Sequence, residues 1–123
     1  MRYLCLIKSN ENAQLAGPPP GLFEAIEKLG AEATAAGVLL ETGGLAPTAA
    51  GARVRLADGL LTVSDGPFTD EHEQVGAWAI YDVTSMDEVV DWSSRFLKVH
   101  RDNWPGWEGE CQIRRVFGPE DFG

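Results

Sequence analysis

The sequence predicts an α+β domain in which two helices pack against one antiparallel sheet. Three observations lead to this prediction: the order of strands and helices along the chain, two strands that are apolar on both faces, and a tight turn between two strand-like runs. A chain of 123 residues suffices for one domain with its own core and leaves no room for a second.

The first strand and the first helix occupy the opening part of the chain. Residues 2–8 are expected to form a central strand, because apolar side chains fall on both of its faces. A polar loop from Ser9 to Gly17 and the stiff run Pro18-Pro19-Pro20 then lead into a helix. Gly37 is expected to end this helix in a left-handed conformation. The buried face of the helix consists of apolar residues at helical spacing: Leu22, Ile26, Leu29 and Ala33.

The middle of the chain contains two further strand signals and a hairpin. Val38 to Leu45 is predicted to be the second strand. Asp58-Gly59 separates the strand-like runs 53–56 and 60–63, a pattern typical of a two-residue hairpin turn. The segment 76–83 is again apolar on both faces, which predicts another central strand.

The last part of the chain predicts a second helix and a closing strand. Ser85 and Glu88 have the spacing of a capping box at the start of the helix. After an aromatic and polar loop from His100 to Gly109, Cys111 to Phe117 is predicted to be the final strand. The expected apolar stripe of the second helix is formed by Met86, Val89, Val90, Phe96 and Leu97.

Without the hairpin, the elements follow the order β-α-β-β-α-β. This is the order of the ferredoxin-like split β-α-β fold, here with an extra β-hairpin. Two helices can cover only one face of the sheet, yet two strands are apolar on both faces. The second face therefore needs a cover, and the simplest cover is another copy of the chain related by two-fold symmetry. The pattern predicts a homodimer.

Composition restricts the classes of partner. A net charge of -9 argues against nucleic-acid binding, which requires a cationic surface. No apolar run has the length of a membrane span, and the first residues lack the features of a signal peptide, so a cytoplasmic location is expected. Cys5 and Cys111 are expected to be buried, reduced thiols. Neither has a second cysteine or histidine at ligand spacing, and no metal site or cofactor is predicted.

A turn motif and its surroundings resemble a known family. The stretch Asp65-Gly66-Pro67-Phe68, the acidic residues 69–73 and the strand start 74–78 resemble the DGPF group of the YCII-related proteins. The hairpin at 58–59 and the helix start at 85–88 fit the same pattern, so the resemblance extends over nearly the whole chain. It implies a dimeric α+β-barrel built on the ferredoxin-like unit.

For function, the resemblance implies an acid–base role for a histidine–aspartate pair, and lyase or dehydrochlorinase activity on small ring compounds in some relatives. Other relatives are associated with extracytoplasmic-function sigma factors. This chain departs from the pattern at three places. The family's histidine near the end of the first strand has no counterpart in Ser9-Asn10-Glu11-Asn12, Ala77 replaces the second glycine of a pair, and residues 103–107 enlarge the last loop.

Three ionisable residues near the turn are the candidate catalytic groups. Asp65 is predicted to be a general acid or base with a pKa raised by burial, or alternatively a turn cap that accepts backbone N–H groups. Glu73 is expected either to share its pocket or to lie in a solvated acidic loop. His72 is either an acid–base partner or a solvated loop residue. For His100, a favourable charge at the end of the second helix is the expected explanation.

Aromatic residues are the candidate ligand-binding groups: Phe68, Trp78 and Trp104. Trp104 and Trp107 are expected either to wall a pocket for a planar ligand or to pack over the sheet edge or the dimer seam.

Two functions are consistent with these residues. The first is a small dimer that binds an organic molecule beside the turn, with cofactor-free proton transfer by Asp65 assisted by Glu73 or His72. The second is a non-catalytic regulatory or protein-binding dimer, coupled to an extracytoplasmic-function sigma factor, in which the motif only shapes the fold.

Overall fold

The structure is a computed structural model that describes residues 1–14 and 17–122. The central part of the predicted loop from Ser9 to Gly17 lies outside the described residues. The α-helices and strands are β1 (Arg2–Ser9), α1 (Pro20–Ala35), β2 (Leu39–Gly44), β3 (Ala52–Ala57), β4 (Leu60–Asp65), β5 (Gln74–Asp82), α2 (Met86–Asn103) and β6 (Glu110–Arg115). Short 3-10 helices occupy Glu11–Gln14, Thr48–Ala50 and Pro119–Asp121.

Four of the strands form one sheet with the spatial order β2-β5-β1-β6. Each neighbouring pair in this sheet is antiparallel. The predicted α+β class with an antiparallel sheet is therefore confirmed. β1 lies at the centre, where Cys5 is paired with Ala79 of β5 and with Ile113 of β6.

The predicted hairpin is confirmed as a separate two-stranded sheet of β3 and β4. Its two-residue turn places Asp58 at φ 52° and Gly59 at φ 76°. Two successive residues with positive φ are the requirement of a type I′ turn, whose twist matches that of the flanking strands. The Asp-Gly pair is well suited to this conformation, because glycine adopts it freely and aspartate tolerates it.

The core lies between the helices and one face of the sheet. Its buried cluster combines strand residues, the residue that follows β5 and one residue from each helix: Tyr3, Cys5, Tyr81, Val83, Ala33 and Val89. Because side chains alternate along a strand, the intervening residues point to the opposite face. These residues are apolar and half-buried: Leu4, Leu6, Trp78 and Ile80. The prediction that β1 and β5 are apolar on both faces agrees with this register.

The first helix follows its sequence pattern closely. Leu22, Leu29 and Ala33 are buried and Ile26 is half-buried. Gly37 has φ 75°, so the predicted left-handed end of α1 is confirmed.

The second helix buries part of the stripe that the sequence indicated, since Val89 is buried and Phe96 and Leu97 are half-buried. Met86 and Val90 are 44% and 41% exposed, so their assignment to the buried stripe was wrong. The buried side chains of α2 are Val89, Ser93 and His100, at intervals of four and seven residues. Hydrophobicity alone could not identify this face, because two of its three buried residues are polar.

The capping prediction for α2 was right for one partner and wrong for the other. Ser85 accepts a hydrogen bond from the Glu88 amide at 3.2 Å. The Glu88 carboxylate accepts from the amide of Thr84 rather than from that of Ser85. The first turn of α2 is therefore capped by hydrogen bonds with two preceding residues, Thr84 and Ser85, instead of with Ser85 alone.

His100 is buried rather than charged at the helix end. It is 7% exposed, its Nδ1 lies 2.9 Å from the Phe96 carbonyl oxygen, and its ring packs between Phe96 and Trp107. Burial lowers the pKa of His100, although the Phe96 carbonyl opposes this effect. The expected favourable interaction of a charged imidazole with the helix end is thus overturned, because the site favours the neutral ring.

The lowered pKa of His100 predicts a loss of stability in mild acid. The unfolded chain binds a proton at about pH 6.5, whereas the folded chain binds it only at lower pH, so the free energy of unfolding falls as the pH drops below about 6.5. Urea unfolding at pH 7.5 and 5.5 measures this loss. A His100→Gln variant is expected to show a smaller difference between the two pH values, and an equal difference would contradict the assignment.

None of the helices in the described ranges combines the length and the apolar character that a membrane crossing requires.

Candidate functional site

The Asp65–Phe68 turn packs tightly against the 3-10 helix at Thr48–Ala50. The Gly66 amide donates to the Gly51 carbonyl oxygen at 2.9 Å, and the Phe68 amide donates to Thr48 Oγ1 at 3.0 Å. A Cβ atom on Gly66 would stand 1.6 Å from the Thr48 carbonyl oxygen. The glycine of the motif is therefore required by the close approach of two backbone segments.

Glu11 stabilises this contact from the segment that follows β1. Its carboxylate accepts hydrogen bonds from the amide of Thr48 at 3.0 Å and from Thr48 Oγ1 at 2.5 Å. The Glu11 amide donates to Gln74 Oε1 at 2.9 Å, and the buried Gln74 side chain donates to the Glu71 carbonyl oxygen. One acidic residue thereby connects the 3-10 helix to the first residue of β5.

Sequence reasoning did not select Glu11. The signal that could have found it was its position, since it lies in the segment where the family resemblance expects a histidine.

An open cleft of about 340 Å³ adjoins the turn. Phe68 lies along the cleft, and the Arg53 guanidinium stands over its ring at 4.1 Å. Arg53 also forms ion pairs with Asp70 at 2.8 Å and Glu71 at 3.1 Å. The hydrogen bond from Arg53 holds the pKa of Asp70 below its usual value. The residues lining the cleft are mainly apolar, with a few polar groups: Leu45, Ala46, Pro47, Thr48, Ala50, Gly51, Arg53, Phe68, Glu71 and Val75.

Asp65 lies outside this cleft. It is the last residue of β4, it is exposed, and it does not line the cleft beside Phe68. Across residues 1–14 and 17–122, no hydrogen bond joins its carboxylate to another group, so the alternative interpretation as a turn cap gains no support. The turn is held by Gly66 and Phe68 amides instead.

His72 and Glu73 lie together in a neighbouring cleft. His72 is exposed and Glu73 is half-buried, and both line this cleft with Lys8. Glu71 and Val75 border both clefts, which places the two openings side by side. The structure thus brings His72 and Glu73 together, while Asp65 does not line either cleft.

The three aromatic candidates occupy three different places. Phe68 lines the cleft beside the turn. Trp78 is half-buried, and its indole lies against Gly43 of β2, where an added Cβ would approach Nε1 to 3.0 Å. Trp104 is half-buried at the end of α2, and its amide donates to the His100 carbonyl oxygen at 2.8 Å.

The loop tryptophans do not form a joint pocket with Phe68. Trp107 packs on the His100 ring at a centroid distance of 4.5 Å. Trp107 thus packs on α2, and it also lines an open cleft of about 610 Å³ together with Glu73.

A cavity separate from these clefts lies between the helices and the sheet. Its volume is about 50 Å³, and its lining includes Cys5, Cys111 and Ser93 among apolar side chains. Sequence reasoning missed this cavity, because it depends on a contact between Cys5 and Ser93, a polar residue on the buried face of α2. Among the residues that the structure describes, no three histidine, cysteine or acidic side chains are grouped closely enough to hold a metal ion.

Comparison with known proteins agrees with the resemblance in the motif. The YCII-related domain matches residues 1–100, which include the turn, the clefts lined by Phe68 and by His72, and the second helix up to His100. None of the curated proteins matches the chain. Because the matched range covers well over half of the sequence, the chain belongs to the YCII-related family.

Proposed function

We propose that this protein binds a small organic molecule in the cleft beside the Asp65–Phe68 turn. The observation that carries the proposal is an open cleft of about 340 Å³ whose wall is formed by the motif itself, through Phe68. Ligand sites are commonly of this size, concave and mainly apolar, with a few fixed polar groups. Family membership supports a role for the motif but does not identify the ligand.

The lining of the cleft indicates the chemistry of the ligand. Leu45, Pro47 and Val75 provide apolar walls for a compact hydrocarbon framework. Arg53 and Glu71 provide one cationic and one anionic group at the same edge, where a polar substituent can exchange hydrogen bonds with either. The lining therefore supports a compact, mainly apolar ligand with one or two polar substituents, and the family resemblance adds the expectation of a ring compound.

The proposal is tested by a thermal-shift screen of small hydroxylated and carboxylated ring compounds. A compound that binds the folded protein at 100 times its Kd raises the free energy of unfolding by about 2.7 kcal/mol. Ala50→Trp fills the cleft, and we expect it to abolish the shift. Ala31→Trp adds the same side chain at an exposed position of α1 and should leave the shift intact. Equal shifts in both variants would reject the cleft as the site.

Proton transfer by Asp65, assisted by Glu73 or His72, is the proposed chemistry of the bound ligand. Because Asp65 lines neither cleft, this chemistry requires a ligand that extends out of the cleft past Phe68 to the Asp65 end of the turn. Asp65→Asn is expected to change the free energy of unfolding by less than about 0.5 kcal/mol, because the side chain is exposed. Turnover of a compound identified by the screen should be lost in this variant. Wild-type turnover in Asp65→Asn would reject the catalytic role while leaving the binding proposal in place.

A two-fold dimer is the proposed assembly. The strand order β2-β5-β1-β6, with both helices on one face, supports the ferredoxin-like interpretation. The apolar residues on the opposite face, among them Leu4 and Ile80, support its burial against a second copy, as in a dimeric α+β-barrel.

The hairpin provides a second apolar surface for this assembly. One face of β3 and β4 carries two directly paired apolar couples, Val54 with Val63 and Leu56 with Leu61. These four side chains are between 69% and 71% exposed. This exposed apolar face favours a protein contact, and we assign the contact to the second copy of the chain. Association with an extracytoplasmic-function sigma factor stays a prediction.

A further inference from the structure

The two cysteines come together on the helix-facing side of the sheet. Cys5 of β1 is paired with Ile113, and Cys111 of β6 is paired with Ile7, so the cysteines are diagonal neighbours on adjacent strands. Diagonal neighbours have Cα atoms about 7–8 Å apart, beyond the usual reach of a disulfide. Both cysteines are free, as the sequence predicted, although Cys111 is half-buried rather than buried.

A hydrogen bond connects Cys5 to Ser93 of α2, and Cys111 lines the same cavity as these two residues. Cys5 Sγ lies 3.4 Å from Ser93 Oγ. The interaction between the two thiols raises the pKa of Cys5 and lowers the pKa of Cys111, and Ser93 also favours the Cys111 thiolate. Cys5 and Ser93 are thus placed as donors to an ionised Cys111.

The cavity between the helices and the sheet surrounds the two thiols and Ser93 with mainly apolar side chains. Cys5, Cys111 and Ser93 line it together with apolar residues such as Ile7, Leu29 and Phe96. The space of about 50 Å³ admits the reacting end of a small molecule rather than a large ligand. The surrounding side chains disfavour a charged reactant, because burying a charge among apolar groups is costly.

We propose that Cys111 is a nucleophilic thiol that forms a covalent adduct with small, uncharged carbon electrophiles such as activated alkenes, with Cys5 and Ser93 as its hydrogen-bond donors. In this reaction the Cys111 sulfur forms a bond to the alkene carbon β to the activating group, and the carbon–carbon π bond breaks. The electron pair moves to the activated carbon, which takes a proton from water. The thiol proton has left to solvent beforehand, so the net change is addition of S–H across the double bond and requires no oxidant.

Other ionisable groups near the thiol have limited influence. Glu110, the preceding residue of β6, opposes ionisation of Cys111. Tyr81 of β5 lines the same cavity, and burial raises its pKa to about 12, so it stays neutral near pH 7. Arg95 of α2 acts on Tyr81 rather than on the thiol.

The test compares N-ethylmaleimide with N-(carboxymethyl)maleimide, which has similar size and an added negative charge. Each reagent is allowed to react with the full-length protein, and the adduct is located by intact mass and peptide mapping. Rates are divided by those with free glutathione and followed from pH 5.5 to 9. The variants are Cys5→Ala, which removes a donor, Cys5→Ser, which keeps one, Ser93→Ala and Cys111→Ser.

We expect a single N-ethylmaleimide adduct on Cys111, with a rate midpoint below the ordinary thiol value of about 8.5 and a carboxymethyl rate at least about tenfold lower. Cys5→Ala should move the midpoint towards the ordinary thiol value of about 8.5 and reduce the rate at pH 7 about threefold. Cys5→Ser should retain most of the wild-type rate. If Cys5→Ala does not fold, Ser93→Ala removes the other donor and should likewise raise the midpoint and lower the rate at pH 7.

Three results would overturn the proposal. One is absence of an adduct on the folded protein, and another is an adduct on Cys5 in preference to Cys111. The third is a midpoint of 8 to 9 in the wild type, with equal relative rates for the two reagents, as for any exposed cysteine.

Discussion

Replacement of Leu61 by aspartate is expected to convert the proposed dimer into a monomer. Leu61 is 70% exposed in the single chain and lies opposite Leu56 on the apolar face of the hairpin. Complete burial of such a side chain contributes about 1.5–3 kcal/mol, and two-fold symmetry introduces the substitution twice. Even the lower value predicts a dissociation constant at least about 100-fold higher. Sedimentation equilibrium of the two proteins measures this change.

Thr62→Asp is the matched control for Leu61→Asp. Thr62 is adjacent in β4, is similarly exposed and points to the opposite face, where its cross-strand partner is Arg55. An aspartate at this position meets a cation instead of an apolar surface, so the control should remain dimeric. Dissociation by both substitutions, or by neither, would exclude the apolar face of the hairpin from the dimer contact.

Gly66→Ala is expected to destabilise the protein by more than about 3 kcal/mol. The added Cβ would stand 1.6 Å from the Thr48 carbonyl oxygen and 3.3 Å from the Ala49 Cα atom. Both atoms belong to the backbone, so rotation of a side chain cannot relieve the overlap. The hydrogen bonds that Gly66 and Phe68 donate across the contact would be lengthened or lost. A decrease in melting temperature of about 10 °C or more should be visible by circular dichroism.

Gly76→Ala provides the comparison for Gly66→Ala. No atom lies within 4 Å of a Cβ at Gly76, which belongs to β5. This substitution is therefore expected to have a small effect on the free energy of unfolding. Similar decreases in melting temperature for the two variants would show that the close approach at Gly66 is not the cause.

Local sequence signals predicted most of the fold correctly. Asp58-Gly59 specified the hairpin turn through its conformational preference, and Gly37 marked the end of α1 through its left-handed φ. Both signals depend on one or two residues and their immediate backbone. The apolar residues of α1 were similarly reliable, because this helix presents hydrocarbon side chains to the core.

The site depended more on contacts between distant parts of the chain. Glu11 contacts residues 37 and 63 positions away in sequence, so no local pattern indicated its role. Ser93 and His100 are polar but buried, since one meets a thiol and the other packs between aromatic rings. The motif correctly indicated a structured turn, but the exposure of Asp65 depends on how the hairpin projects from the rest of the domain.

Ligand binding beside the turn is tested most directly by amide chemical-shift mapping. The best compound from the thermal-shift screen would be titrated into isotope-labelled protein, with Ala50→Trp as the blocked control. We expect saturable shifts centred on Thr48, Gly51, Phe68 and Val75, which line the cleft, and no such shifts in the blocked variant. Shifts confined to the hairpin, or to the layer between α2 and the sheet, would contradict binding beside the turn.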